Sequence, residues 1–112
     1  MELTVDPYPT ATVIRVNAAR IDAPNALQFK EDMRSLTARK DGRLILDLQQ
    51  VDFIDSSGLG AVVASMKQLR PGQTLELAAL RPIVEKVFRL TRMDTIFAIH
   101  DSAEQGIGTG PG

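Results

Sequence analysis

The sequence predicts a single α/β domain built on a mixed sheet. Three observations lead there. Hydrophobic periodicity switches repeatedly between roughly 2 and 3.6 residues along the chain. Residues 44–48 form an apolar run long enough for a strand covered on both faces. A length of 112 residues with 44% hydrophobic content suits one core. Residues 1–105 are assigned to the domain. Residues 106–112, Gly-Ile-Gly-Thr-Gly-Pro-Gly, bury too little to offset their ordering entropy and are expected to form a flexible tail.

Residues 2–6 suit a short strand ended by Asp6-Pro7-Tyr8-Pro9, because closely spaced prolines break a ladder. Residues 10–17 are rich in β-branched side chains. Thr12, Ile14 and Val16 fall on one face and Val13, Arg15 and Asn17 on the other, which predicts a half-exposed strand. With no helix between them, these two strands are expected to pair antiparallel. Asp22-Ala23-Pro24 then reads as a helix start, with the aspartate as cap and proline in the first turn. The helix spans residues 24–39, with Ala26, Phe29, Met33 and Leu36 at helical spacing and Leu27 widening the stripe. Asp41-Gly42 stops it.

The apolar run at 44–48 is predicted to be a central parallel strand. After the loop 49–55, Ser56-Ser57-Gly58 opens a second helix reaching residue 69, with Leu59, Val62, Val63, Met66 and Leu69 on one side and Pro71-Gly72 beyond it. Residues 74–79 alternate as a strand, Leu75 and Leu77 opposite Glu76 and Ala78. Arg81-Pro82 begins a third helix carrying Ile83, Val84, Val87, Phe88 and Leu90; Arg89 and Arg92 complement its C-terminal end. Residues 95–99 are predicted as a last strand and 101–105 as a helical stub. The order β-β-α-β-α-β-α-β, with three main helices, implies right-handed parallel crossovers after the first strand pair.

Composition excludes several functions. Thirteen Lys and Arg balance 14 Asp and Glu to a net charge of −1, and only 4% of residues are aromatic. This is a poor basis for gripping nucleic acid by charge or stacking. The absence of cysteine removes disulfides, thiolate metal sites and a thiol nucleophile, and the single histidine, His100, removes a His-rich metal cluster. No apolar run approaches the length needed to cross a bilayer, and residues 1–6 lack the basic-then-apolar pattern of a secretory signal. A cytoplasmic location is therefore expected.

The densest chemical signal is Val51-Asp52-Phe53-Ile54-Asp55-Ser56-Ser57-Gly58-Leu59-Gly60, between the buried strand and the second helix. Sites in open α/β sheets form beyond the carboxyl ends of strands. Structurally, Ser56 or Ser57 suffices as a helix cap, with Gly58 and Gly60 permitting close packing. A hydrolase elbow needs glycine where Asp55 stands, and its base would have to be the distant His100. A phosphate cradle would need a Gly-Lys-Ser/Thr motif or a third glycine, and neither is present. A receiver-domain reading of Asp47 fails because Asn17-Ala18-Ala19 supplies no acidic pair and Ile99-His100-Asp101 no lysine.

Residues 44–60 instead resemble the STAS family of anti-sigma factor antagonists. The resemblance rests on Asp47-Leu48, Phe53-Ile54-Asp55 and Ser56-Ser57-Gly58-Leu59-Gly60. Ile21-Asp22, just before the first helix, matches a second family block, and the element order matches over residues 2–105. One departure stands out: Ala19 and Arg20 occupy positions where members usually carry glycine and often glutamate.

The resemblance implies a STAS-like mixed sheet and a role as a binding protein, with no catalysis and no cofactor of its own. It makes Ser57 the phosphoacceptor, with Asp55 and Asp22 flanking the same surface. Asp22, Asp55, Ser56, Ser57, Gly58, Leu59 and Ala61 become the expected partner-binding residues, and Ala61, Ser65, Lys67, Gln68 and Arg70 the exposed docking side of the second helix. The implied partner is an anti-sigma factor that is also a serine kinase of the histidine-kinase-like ATPase type. It is bound while Ser57 is unmodified and lost on phosphorylation, and a serine phosphatase resets the cycle. No nucleic acid or membrane partner is expected, and a monomer is expected because no large apolar face is marked. Two alternatives stay open: a non-phosphorylated STAS adaptor subunit of a transporter or stress-signalling complex, and a small-molecule binding domain or unrecognised enzyme.

Overall fold

The computed structural model describes residues 1–108. Its strands are β1 (Leu3–Pro7), β2 (Thr12–Val16), β3 (Arg20–Ile21), β4 (Gly42–Asp47), β5 (Phe53–Ile54), β6 (Gln73–Ala78) and β7 (Ile99–His100). Its helices are α1 (Ala26–Thr37), α2 (Ser56–Lys67), α3 (Pro82–Leu90) and α4 (Ala103–Gly108), with a 3-10 turn at Met93–Thr95. The main sheet has five strands in the order β1-β2-β4-β6-β7. β1 runs antiparallel to β2, whereas β2, β4, β6 and β7 are mutually parallel. This is the predicted mixed sheet, with the apolar run at its centre.

The alternation of side chains sorts the sheet into two buried layers. Ile14, Val16, Leu44, Leu46, Leu75 and Leu77 join Phe29 and Met33 of α1, Val62 of α2 and Val84 and Phe88 of α3 in the main core. Val13, Ile45 and Ala78 point the other way and are covered by Ala103 of α4, with Ile107 packed alongside. The central strand is thus enclosed from both sides, as its unbroken hydrophobicity requires. β2 is also covered twice. Val13, expected on a half-exposed face, is fully buried because α4 closes over it.

The structure corrects the expected tail. Residues 106–108 belong to α4, and Gly106 is buried. A Cβ on Gly106 would sit 2.9 Å from both His100 Cδ2 and Ile45 Cδ1. Glycine at this position therefore lets the helix approach the sheet rather than signalling a loose end. Arg43 Nη2 donates to the Gly106 carbonyl oxygen at 2.6 Å, while its Nε and Nη2 reach the two Glu76 carboxylate oxygens at 2.8 and 2.7 Å. His100 Nε2 lies 2.7 Å from Glu76 Oε1. This polar cluster fastens α4 to β4, β6 and β7. The rest of the expected tail, residues 109–112, lies outside the described residues.

Two other boundaries move. α1 begins at Ala26 rather than at residue 24, and Asp22 does not cap it. The Asp22 carboxylate instead accepts from Arg20 Nε at 2.8 Å, its backbone N–H donates to Asn25 Oδ1, and Asn25 holds the cap position. Residues 95–99 do not form one strand. Arg92 adopts a left-handed backbone with φ of 65°, the 3-10 turn follows, and Phe97 enters the core edge-on to Phe88 at 6.1 Å between ring centroids. Only Ile99 and His100 remain to pair with β6.

Candidate functional site

The loops leaving β2 and β4 at their carboxyl ends are joined by a miniature sheet that periodicity could not reveal. β3 pairs parallel with β5, Arg20 opposite Phe53 and Ile21 opposite Ile54. Asp52 N donates to the Ala19 carbonyl oxygen at 2.8 Å. Two residues per strand are too few to show alternation, so both segments read as loop.

This ribbon sets the start of α2. Its cap is Asp55, not either serine. Asp55 Oδ1 accepts from Gly58 N at 2.8 Å, and Oδ2 accepts from Ala23 N at 3.0 Å. One carboxylate therefore ties the helix start to the turn before α1. The Gly58 bond, followed by the Ala23 bond, holds the Asp55 carboxyl below the usual aspartate range. Gly58 itself is required by contact. A Cβ there would fall 1.9 Å from the Ile21 carbonyl oxygen, so no side chain fits.

With Asp55 as cap, Ser57 is left exposed, and its hydroxyl has no hydrogen-bond partner among the described residues. It borders a shallow groove of about 170 Å³ between α1 and α2, lined by Ala26, Leu27 and Lys30 on one helix and Ser57, Gly60, Ala61 and Ala64 on the other. The apolar wall comes from Leu27, which is 64% exposed and stands outside the Phe29–Met33 core stripe it was expected to widen. Sequence reasoning missed both Leu27 and Lys30 as surface features. The available signal was their three-residue spacing, which places them on one side of α1, off the buried stripe.

The expected site residues separate into two groups. Asp22, Asp55, Ser57 and Gly58 do converge, through the β3–β5 ribbon. Ser56 is exposed beside them. Asp22, however, is only 8% exposed and is bound to Arg20, so its role is to shape the turn. Gly58 is buried, and Leu59 is half-buried against the core. Along the docking side drawn on α2, Lys67 and Arg70 are exposed as expected and Gln68 is half-buried, but Ala61 and Ser65 need correction. Ala61 is 6% exposed and Ser65 is buried, its hydroxyl bonded to the Ala61 carbonyl oxygen at 2.8 Å, because this side of α2 packs inward. The open side is instead the line Ser57–Gly60–Ala64–Lys67, of which the first three border the groove and Lys67 is exposed at the far end.

Arg20, the departure noted above, is held in place. Its guanidinium carbon lies 4.0 Å from the centre of the Phe53 ring while Nε pairs with Asp22. The cation is spent on bracing the ribbon. His100 is equally committed. It bonds Glu76, whose register partner Ile45 belongs to the α4 layer, whereas α2 covers the opposite face. The sheet separates His100 from Ser57, so they do not form a nucleophile–base pair.

The chain matches the family model described as STAS domain over residues 2–106. It is 31% identical over 105 residues to a Bordetella bronchiseptica protein named as the anti-sigma factor antagonist BtrV, covering 93% of this chain and 90% of that one. Its backbone superposes on an anti-sigma factor antagonist from Mycobacterium paratuberculosis with a TM-score of 0.86 at 21% identity, covering 97% and 92% of the two chains. It also superposes on Bacillus SpoIIAA in its phosphorylated form with a TM-score of 0.67 at 21% identity, covering 96% of this chain and 97% of that one. For SpoIIAA in its unphosphorylated form the values are 0.73 and 22%, with 95% and 93% covered.

Proposed function

Since the chain belongs to the STAS domain family, we propose that it works as an anti-sigma factor antagonist whose docking is switched by phosphorylation of Ser57. The relatives named as antagonists support the general role. The observation that carries the switch is the Ser57 hydroxyl: exposed, unbonded, and relieved of capping duty by Asp55.

The physical sequence is short. Unmodified Ser57 is small and neutral, so a partner surface can close over the groove beside it. The partner is an anti-sigma factor with serine-kinase activity of the histidine-kinase-like ATPase type, and it supplies the ATP and the metal for the transfer. Phosphorylation adds about −1.5 to −2 charges at pH 7. That charge stands two residues from the ionised Asp55, and burying both under a partner carries a large desolvation and repulsion penalty. The domain itself tolerates the group. Ser57 lies in the first turn of α2, where the N-terminal end of the helix favours an anion, and its side chain holds no bond that a phosphate would break. A serine phosphatase returns the chain to its binding form. In this reading the chain acts in the cytoplasm; no helix among the described residues is long and apolar enough to cross a membrane.

The test is binding to the cognate kinase by Ser57→Ala and Ser57→Asp, with peptide mapping of the wild-type chain after incubation with kinase and ATP. Ser57→Ala should bind and remain unmodified, Ser57→Asp should fail to bind, and the wild-type phosphate should map to Ser57. Tight binding by Ser57→Asp together with a phosphate elsewhere overturns the reading.

A further inference from the structure

We propose that Lys30 is the counter-charge of this switch, pairing with an acidic group of the partner while Ser57 is unmodified and with the phosphate once it is not. The proposal rests on the Ser57 reading above and adds the residue that decides what the groove attracts.

Lys30 is the one charged side chain lining the groove; the others are Ala26, Leu27, Ser57, Gly60, Ala61 and Ala64. It is half-buried and makes no ion pair or hydrogen bond among the described residues. Glu31 and Arg34 beside it on α1 are exposed and lie outside the groove lining, while the charges next to Ser57 are already engaged. Arg20 is held by Asp22 and Phe53, and Asp55 by the backbone of Gly58 and Ala23. Elsewhere, Arg15 pairs with Asp6 and Asp47, Arg70 with Asp41, and Arg81 Nε donates to the Gln49 carbonyl oxygen. A cation left without a partner beside the exposed apolar Leu27 offers a definite recognition surface. It fits a segment of the kinase that presents a carboxylate next to an apolar side chain.

The small residues on the α2 wall matter here. Gly60 and Ala64 are small lining residues, a Cβ on Gly60 would meet only open space, and a lysine has a flexible four-carbon stem with which to reach along the groove. In the resting state the groove carries one positive charge. With a phosphate of about −1.5 to −2 on Ser57, the same groove carries a net charge of about −0.5 to −1. An acidic docking segment is therefore attracted in one state and repelled in the other. The lysine turns the change into a reversal of sign, because the phosphate both introduces a negative charge and occupies the cation the partner needs.

The experiment compares wild type, Lys30→Gln and Lys30→Arg, each checked for an unchanged thermal midpoint. Binding to the kinase is measured calorimetrically, and the phosphorylated chains are titrated by phosphorus NMR. Lys30→Gln should bind about fivefold more weakly, while Lys30→Arg stays close to wild type. The phosphoserine resonance should titrate at lower pH in wild type and Lys30→Arg than in Lys30→Gln, since a nearby cation favours the dianion. Wild-type affinity in Lys30→Gln, or a titration midpoint that does not move, overturns the assignment of Lys30 while leaving the Ser57 switch standing. Absence of phosphate on Ser57 in every variant overturns both.

Discussion

Gly58 and Ile21 meet backbone to backbone: a Cβ on the glycine would stand 1.9 Å from the Ile21 carbonyl oxygen. The first turn of α2 and strand β3 can approach this closely only because position 58 has no side chain, and this contact places Ser57 where it is. Gly58→Ala should therefore destabilise the fold by about 2–3 kcal/mol, despite alanine's better helix propensity. Chemical denaturation of the two proteins checks this. An alanine variant as stable as wild type would mean that the ribbon yields easily.

Asp55 should report itself through pH. Its carboxyl is held below the ordinary aspartate value of 3.8, chiefly by the Gly58 N–H and next by the Ala23 N–H. A depressed folded-state value means the stabilisation is complete above the unfolded value and disappears as pH falls through the folded one. The wild-type thermal midpoint should thus drop below about pH 4 more steeply than that of Asp55→Asn, which cannot ionise. Parallel curves between pH 2 and 6 would contradict this role.

Ser57 should be nearly silent in stability. Ser57→Ala removes no hydrogen bond and exposes no cavity, so it should change unfolding free energy by less than about 0.5 kcal/mol. Ser57→Asp places an anion at a helix start but beside Asp55, two effects that oppose one another, and should stay within about 1 kcal/mol of wild type. Denaturant titration checks both. A large loss in either would move Ser57 from the surface into the scaffold.

Arg43 should control α4. It bridges Glu76 and the Gly106 carbonyl oxygen, and this bond from Arg43 is the main reason, ahead of His100, that Glu76 is held below the usual glutamate range. Arg43→Leu leaves Glu76 and the Gly106 carbonyl oxygen without that donor. Amide hydrogen exchange should accelerate at residues 103–108 while Val62 and Phe88, in the opposite layer, stay protected. Uniform acceleration across the chain would show instead that the cluster supports the whole sheet.

The sequence disclosed what repeats and hid what does not. Leu44, Ile45 and Leu46 announce a central strand because burial on both faces leaves no polar alternation. Phe29 and Met33 announce the core side of α1 by their four-residue spacing. The Asp55-Ser56-Ser57-Gly58 stretch marked the start of α2 and the candidate site, but residue type alone could not say which side chain caps the helix. That depended on Gly58 and Ala23 both donating to Asp55, the second across a tertiary contact. Ala61 and Ser65 looked like surface because small residues fit either environment, and only the packing of α2 decides between them. The glycines at 106 and 108 looked like loop because the composition signal for a tail and for a tightly packed small helix is the same. Gly106 was distinguishable only once Ile45 and His100 were in place.

The outer strands bear on how such a regulator is counted. β1 ends at Asp6 and Pro7, and β7 has only two residues, which limits the ladder that either rim of the sheet offers to a second molecule. In the antagonist role proposed above, displacement of a captive is stoichiometric, so each copy added to the cell has to be a copy free to act. Short, proline-ended margins favour that one-to-one tally.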